Sequence, residues 1–369
     1  MNDKFNTENE DNMEKEKKSK IKKILVNLTI FILLIILTFS LVLKDQDVSQ
    51  IFSVAAKVKK QYILFAVLAM SIYILGEAVN ITRILKELGE KSKLISNIRY
   101  TLIGFFFSAI TPAASGGQPM EIYYMHKDDI SVANSTLALL MQLCSLQIVT
   151  ITVGTISAVI HFEVLKSGLI YLLILGIILN SSALMLLIIA IFSKKLSEGL
   201  IKIVVKLLKF FRIPNVEKKQ EKLEKELESY QTSARYIKEH KILMLKTVIT
   251  TVVQMIAYYS VPYWIYLAFG LTEYNIFEIL TLQAVLYATV SGIPSPGAVG
   301  VSEGGFLGIF KNVFPETIIS SAMLLTRGAN FYLFIIISAI IVMISTFREK
   351  RIEKKQMQET EVLTEKSEK

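Results

Sequence analysis

Long apolar blocks with almost no charge constrain this chain more than any other feature. A block of about 20 apolar residues matches a helix across a bilayer core about 30 Å thick. Backbone polar groups need internal partners in lipid, so such blocks form helices or closed barrels. The strict alternation of barrel strands is missing. The predicted fold class is therefore all-α, a polytopic membrane protein, consistent with 52% hydrophobic residues and a mean hydropathy of +0.49.

Apolar and charged blocks divide the chain into five predicted regions. These are a disordered cytosolic tail (1–23), a first membrane half (24–192), a cytosolic linker (193–241), a second membrane half (242–347) and a disordered cytosolic tail (348–369). The predicted membrane runs are Ile24–Leu43, Tyr62–Ile81, Tyr100–Ile110, Ser131–Ile160, Gly168–Phe192, Ile242–Phe269, Ile276–Val290 and Thr317–Phe347. A signal peptide is the alternative for the first run, but its length favours a retained helix.

The linker combines two kinds of helical pattern. Lysines at 202, 206 and 209 recur among aliphatic residues, which is typical of an interfacial helix on an anionic leaflet. Val216–His240 carries Glu and Lys pairs such as Glu221–Lys225, which favours a solvated helix. The net charge of +9 lies in tails and loops, so we expect contact with anionic lipid and no nucleic-acid partner. The oligomeric state stays open.

An offset of 182 residues relates the two halves. In each half a short apolar run stops at a proline, glycines follow, and a glutamate lies nine positions after the proline. These positions are Pro112 and Glu121 in the first half, and Pro294 and Glu303 in the second. Side-chain identity is weak, so the order and spacing of the elements carry the repeat.

Loop charges predict that the two halves have opposite orientations in the membrane. Loop 83–99 contains five Lys or Arg residues and is expected in the cytosol, whereas loop 270–275 contains none. Four lysines in loop 44–60 argue mildly against this scheme. Inverted repeats with broken segments are typical of transporters, whose half-helix ends point amides at anions. Simple proline kinks are the alternative. We expect a plasma-membrane protein with both termini in the cytosol.

Three ionisable residues are predicted at membrane depth, where a charge costs roughly 3 kcal/mol or more unless it is paired or hydrated. They are Glu121, Glu303 and Arg327, and we expect Glu303 to pair with Arg327. Snorkelling of Arg327 to an interface is the alternative. Weaker candidates are Glu77 and Gln142, whereas Tyr123, Tyr124 and Tyr287 are expected in packing or interfacial belts.

The two proline-to-glutamate segments resemble motifs of a known family. Thr111-Pro112 to Glu121 is similar to the "TPGGxGGEP" segment of the lysylphosphatidylglycerol synthase transmembrane family, and Pro294 to Gly304 to its "PGGxGxxE" segment. Arg327 is similar to an arginine in the helix that follows. The resemblance implies a lipid head-group site at Pro112, Gly116, Gly117, Gln118, Glu121, Pro294, Pro296, Gly297, Gly300, Glu303 and Arg327.

Two departures separate this sequence from the family pattern. Gln118 stands where the family often has Glu, and Gln142 stands about where an arginine is common. Bifunctional members also carry a soluble aminoacyl-transferase domain, whereas only a short tail follows Phe347. The resemblance therefore implies the lipid-translocating module alone.

Several functions remain open on the sequence. A flippase for an anionic or aminoacylated phospholipid leads; the alternatives are a phosphatidylglycerol lysyltransferase and an accessory subunit of a lipid-linked glycan pathway. No P-loop motif, histidine spacing or multi-cysteine set appears, so no catalytic residue, metal or cofactor is expected. Movement would then be passive or ion-coupled.

Overall fold

A computed structural model describes residues 48–111, 114–161, 169–193, 216–293 and 295–348, with isolated positions at 29, 32, 33, 199 and 206. Every regular element in these ranges is helical. The helices are α1 Val48–Ala56, α2 Lys60–Glu87, α3 Leu94–Ile110, α4 Gly117–Lys127, α5 Val132–Ile160, α6 Leu169–Phe192, α7 Val216–Glu239, α8 Lys241–Ala268, α9 Ile276–Val290, α10 Val301–Ile309 and α11 Ile319–Arg327, which continues to 348.

Five of these helices are long and apolar enough to cross a membrane. They are α2, α5, residues 170–189 of α6, α8, and the continuous segment Ile319–Arg348 that α11 begins. The shorter α3 and α9 are also apolar. The prediction of an all-α, multi-pass membrane protein is confirmed. The predicted membrane run 24–43, the predicted interfacial helix around lysines 202, 206 and 209, and the two tails lie outside the described residues, apart from the isolated positions and Arg348.

The predicted repeat reappears as a repeat of elements. Helices α2, α3, α4 and α5 begin at 60, 94, 117 and 132, and α8, α9, α10 and α11 begin at 241, 276, 301 and 319. The offsets are therefore 181, 182, 184 and 187 residues. Each half contains, in this order, a long helix, a short apolar helix, a break, a half-helix and a second long helix; in the first half α6 follows as an additional helix.

The paired helices α2 and α8 show that the halves are inverted. These two elements occupy the same place in the repeat, yet they lie against each other along their whole length and run in opposite directions. The contacts from one end to the other are Lys59 with Ala268, Phe65 with Trp264, Tyr73 with Tyr258, and Arg83 with Lys246. Gly76 permits the close approach, because a Cβ there would lie 2.9 Å from Cβ of Gln254.

Helix α7 differs in one respect from its prediction. Its Glu221–Lys225 pair is present at 2.8 Å and exposed, as the spacing predicts. However, one face packs on α5, where the Ser233 hydroxyl donates a 2.8 Å hydrogen bond to Asn134 and Ala234 is buried. The helix is thus docked on the first half along one face and solvated along the other.

Candidate functional site

The second break, residues 291–300, is a tight turn that favours glycine at two positions. A 3₁₀ turn spans Pro296–Ala298, and Gly297 takes a φ of 59° while Gly300 takes a φ of 87°. A Cβ on Gly297 would also overlap the ring of Phe331. Left-handed backbone is costly for residues with a side chain, so these glycines set the path into α10.

Glu303 closes the second break through three hydrogen bonds. Its side chain is fully buried; one oxygen accepts the Gly300 amide at 2.7 Å, and the other accepts Arg327 Nε at 2.8 Å and the Tyr332 hydroxyl at 3.1 Å. Arg327 also donates to the Gly297 carbonyl at 3.1 Å. The predicted Glu303–Arg327 pair is confirmed, and the two charges neutralise each other.

This arrangement differs from the expected anion site at the start of α10. The sequence predicts a half-helix that presents free amides to a bound anion. In the structure the Gly300 amide donates to Glu303, three residues later, as in a capping box. The carboxylate of Glu303 thus takes the place that the sequence analysis assigned to a bound anion. In addition, Arg327 stacks over Phe331, with 4.0 Å between the guanidinium carbon and the ring centroid.

The first break, residues 111–116, brings α3 and α4 into close contact. The Gly116 amide donates to the Thr111 hydroxyl at 2.9 Å. A Cβ on Gly117 would overlap the hydroxyl of Ser108 and lie 2.9 Å from the Gly104 carbonyl. The motif glycines therefore serve helix packing, which places the following turn of α4 directly against α3.

Glu121 is the counterpart of Glu303, but it has no cationic partner among the described residues. It is 2% exposed, and its Oε2 finds no hydrogen-bond partner in that part of the chain. Its carboxylate lies so close to Gly104 that a Cβ there would overlap it. The long helix that follows, α5, contains no Lys or Arg, and Ser145, which lies 182 residues before Arg327, bonds to Thr251 at 2.8 Å.

Gln142 also lies apart from the first break. It accepts a 2.8 Å hydrogen bond from Asn80 and donates one of 3.3 Å to Gln254, within a buried polar network between α2, α5 and α8. An arginine is common at about this position in the family that the motifs resemble. Here the neutral amide of Gln142 takes part in the hydrogen-bond network between the two halves.

Two adjoining cavities lie at the breaks. The large cavity has a volume of about 660 Å³ and is lined by Glu77, Gln118 and Glu121 among others. The small cavity, about 290 Å³, is lined by Gly297 and Arg327 among others. Both volumes are near or within the range of ligand pockets. The two linings share Tyr73, Phe105, Ser108, Ala114, Tyr287 and Ser291.

The predicted site residues therefore separate into three groups. Gln118, Glu121, Gly297 and Arg327 line the cavities. A second group supports the cavities from behind, either by shaping the backbone around them or by lying buried next to that backbone. Its members are Gly116, Gly117, Pro296, Gly300 and Glu303. Two residues, Pro112 and Pro294, lie outside the described residues.

Two residues that line the large cavity received only minor roles in the sequence analysis. The sequence makes Glu77 a weaker candidate and places Tyr287 in packing, yet both line the large cavity. Glu77 is interior to an apolar span, where an acid at membrane depth is a functional signal by default. That signal is present in the sequence, but it does not place Glu77 beside the first break.

The fold and the two cavities define a class, namely multi-pass α-helical membrane proteins built from an inverted repeat with broken segments. The chain belongs to the family described as "Lysylphosphatidylglycerol synthase TM region", whose model matches residues 24–338. The family resemblance inferred from the motifs is thereby confirmed. No curated protein matched the chain.

Proposed function

We propose that this protein moves a phospholipid between the leaflets of the plasma membrane, with the lipid head group in the two adjoining cavities. The substrate is an anionic or aminoacylated phospholipid of the lysylphosphatidylglycerol type. The observation that carries the proposal is the inverted repeat whose two breaks line adjoining cavities, with Glu77, Glu121 and Arg327 among the lining residues of otherwise apolar helices.

The charges around the cavities favour an aminoacylated head group over a purely anionic one. Arg327 is already paired with Glu303, so it offers little net positive charge to a phosphate. Glu77 and Glu121 line the large cavity, and no Lys, Arg or His joins them among its described lining residues. An ammonium group on the lipid would supply the missing opposite charge.

The inverted repeat suggests how transport would occur. Since α2 and α8 are equivalent helices that run antiparallel, rocking one half against the other exposes the same central cavities to either leaflet in turn. The family match supports a membrane protein of this family, and the transport mechanism and the head-group assignment rest on the repeat and the cavities.

The test is transbilayer movement in liposomes that contain the purified full chain. Fluorescent lysylphosphatidylglycerol is placed in both leaflets, and its accessibility to an external quencher is followed in time. We expect the protein to accelerate exchange between leaflets, and Glu121→Gln to slow it by about tenfold or more, the loss of one charge-assisted contact of about 1.5–3 kcal/mol.

Glu273→Gln is the matched control, because Glu273 is exposed in a loop and undergoes the same chemical change outside the cavities. Its rate should equal that of the unmodified protein. Equal rates with and without protein would refute lipid movement. Formation of lysylphosphatidylglycerol from lysyl-tRNA and phosphatidylglycerol, without accelerated exchange, would favour the lysyltransferase instead.

A further inference from the structure

We infer that Glu77 and Glu121 form a proton-exchange site, at which a proton and the ammonium group of the lipid compete for the same carboxyl pair. The inference rests on the proposed lipid movement and names its coupling ion. The observations are the shared cavity, the Glu121 oxygen without a partner among the described residues, and the lack of a basic residue in the described lining.

Geometry supports a ligand at this pair rather than a sealed structural contact. Glu121 is almost fully buried, yet its Oε2 has no hydrogen-bond partner in the described part of the chain and the side chain lines the large cavity. Buried carboxylate oxygens normally have partners. The other oxygen, Oε1, lies in space that a Cβ on Gly104 would fill, so the α3 backbone fixes the carboxylate from that side.

The groups around the pair leave its charge uncompensated. Tyr73 of α2 and Tyr287 of α9 line the same cavity, whereas Tyr258 of α8 and Arg327 of α11 line the adjoining small cavity. The described lining residues from α3, α4, α5 and α6 are uncharged apart from Glu121 itself. Arg327 is committed to Glu303 at 2.8 Å, so the carboxyl pair faces no free cation among these residues.

Two carboxylates that share one cavity repel each other when both are ionised, so we expect the free pair to retain one proton. When a lipid ammonium enters, its positive charge replaces that of the proton. The pair then ionises fully, the ammonium keeps all its own hydrogens, and the displaced proton leaves to water. The site therefore holds either one proton or one ammonium group, and each lipid bound releases one proton.

If the site faces the two sides of the membrane in turn, this competition couples lipid movement to proton movement in the opposite direction. A site that crosses the membrane loaded with lipid in one direction returns with a proton in the other. A proton gradient would then drive net lipid movement without nucleotide hydrolysis. The small cavity, with its neutralised Glu303–Arg327 pair, would accommodate the rest of the head group without binding a proton.

The test is calorimetric titration of the detergent-solubilised full chain with short-chain lysylphosphatidylglycerol, in buffers that differ in ionisation enthalpy, between roughly pH 5.5 and 7, where the amino groups of the lipid keep their protons. We expect about one proton released per lipid bound where the pair is protonated, and a Kd that falls about tenfold per pH unit over that range. Glu77→Gln and Glu121→Gln should each abolish proton release near neutral pH, and Glu273→Gln should retain it.

Two further probes separate the inference from the proposed function. Lysine amide, a soluble ammonium compound, should release protons from the unmodified protein, whereas short-chain phosphatidylglycerol should release none. Accelerated lipid exchange in liposomes without proton release on binding overturns the exchange site and leaves lipid movement intact. Proton release by lysine amide without lipid exchange supports the site and refutes lipid movement. Proton release that persists in both glutamine variants overturns the site.

Discussion

The first and second breaks occupy equivalent positions in an inverted repeat, yet they treat the same residue in opposite ways. Glu303 is fully buried and accepts three hydrogen bonds, one of them from Arg327. Glu121 is buried but lines a cavity, and one of its oxygens has no partner among the described residues. Duplication of a motif therefore does not imply duplication of its role.

The difference follows from the long helix after each half-helix. In the second half this helix carries Arg327, whereas in the first half α5 contains no Lys or Arg. With an arginine, the acid becomes part of the scaffold, because a buried charge pair locks both partners. Without one, the acid keeps its charge available to a ligand in the cavity.

The largest expected effect tests the structural role of the Glu303–Arg327 pair at the second break. Arg327→Met should destabilise the protein by about 3–5 kcal/mol, because it leaves the Glu303 carboxylate buried and unpaired. The double variant Glu303→Gln with Arg327→Met should recover most of that loss, since neither charge remains. Thermal unfolding in detergent measures both. Glu121→Gln should change stability by less than about 1 kcal/mol; a loss as large as that of Arg327→Met would remove the contrast between the breaks.

A smaller effect tests the position of the first carboxylate. Gly104→Ala places a Cβ where the Glu121 carboxylate lies, so we expect a loss of about 1–3 kcal/mol from overpacking and slower lipid exchange. Gly304→Ala in α10 is the matched control, because a Cβ there would meet nothing within 4 Å and alanine favours helix. Its stability should stay equal or rise slightly. Equal losses in the two variants would show that Gly104 does not position Glu121.

The smallest effect concerns a feature that the two breaks share. Ala114 in the first break and Ala298 in the second both have a φ of 53°. Glycine removes the steric cost of left-handed backbone but adds chain entropy to the unfolded state. Ala114→Gly and Ala298→Gly should therefore each raise stability by less than about 1 kcal/mol, measured by thermal unfolding. A clear loss in one variant only would show that the turns differ in conformation as well as in charge.

Much of the fold was predictable because bilayer length and the 182-residue offset constrain helices strongly. Helices α5, α6, α8 and α9 agree with the predicted runs within one residue at each end, whereas α2 extends six residues beyond the end of its predicted run. Helix α1 is absent from the sequence prediction: it lies in loop 44–60 and packs on α11 through Ser321, whose hydroxyl donates to the Ile51 carbonyl at 3.1 Å. Its nine residues are too short for a periodic pattern to predict on its own.

The candidate site was predictable only where both partners lay in recognisable motifs. Glu303 and Arg327 are 24 residues apart in one half, and each is an isolated charge in an apolar context, so pairing followed from the cost of burial. Glu77 joins Glu121 through tertiary packing of α2 against α3 and α5. An apolar helix has no polar face that predicts where a single acid points, so this contribution required the structure.

The final helix contains a five-residue π turn, Gly328–Tyr332, directly after Arg327. A π turn adds one residue to a helix, and each residue of an α-helix turns it by about 100°. Winding the same residues as a regular α-helix would instead rotate everything beyond the turn by about 100°, which would turn the side chains of the last span away from their present neighbours. Tyr332 would also lose its approach to Glu303. The π turn thus sets the rotational register of the last span.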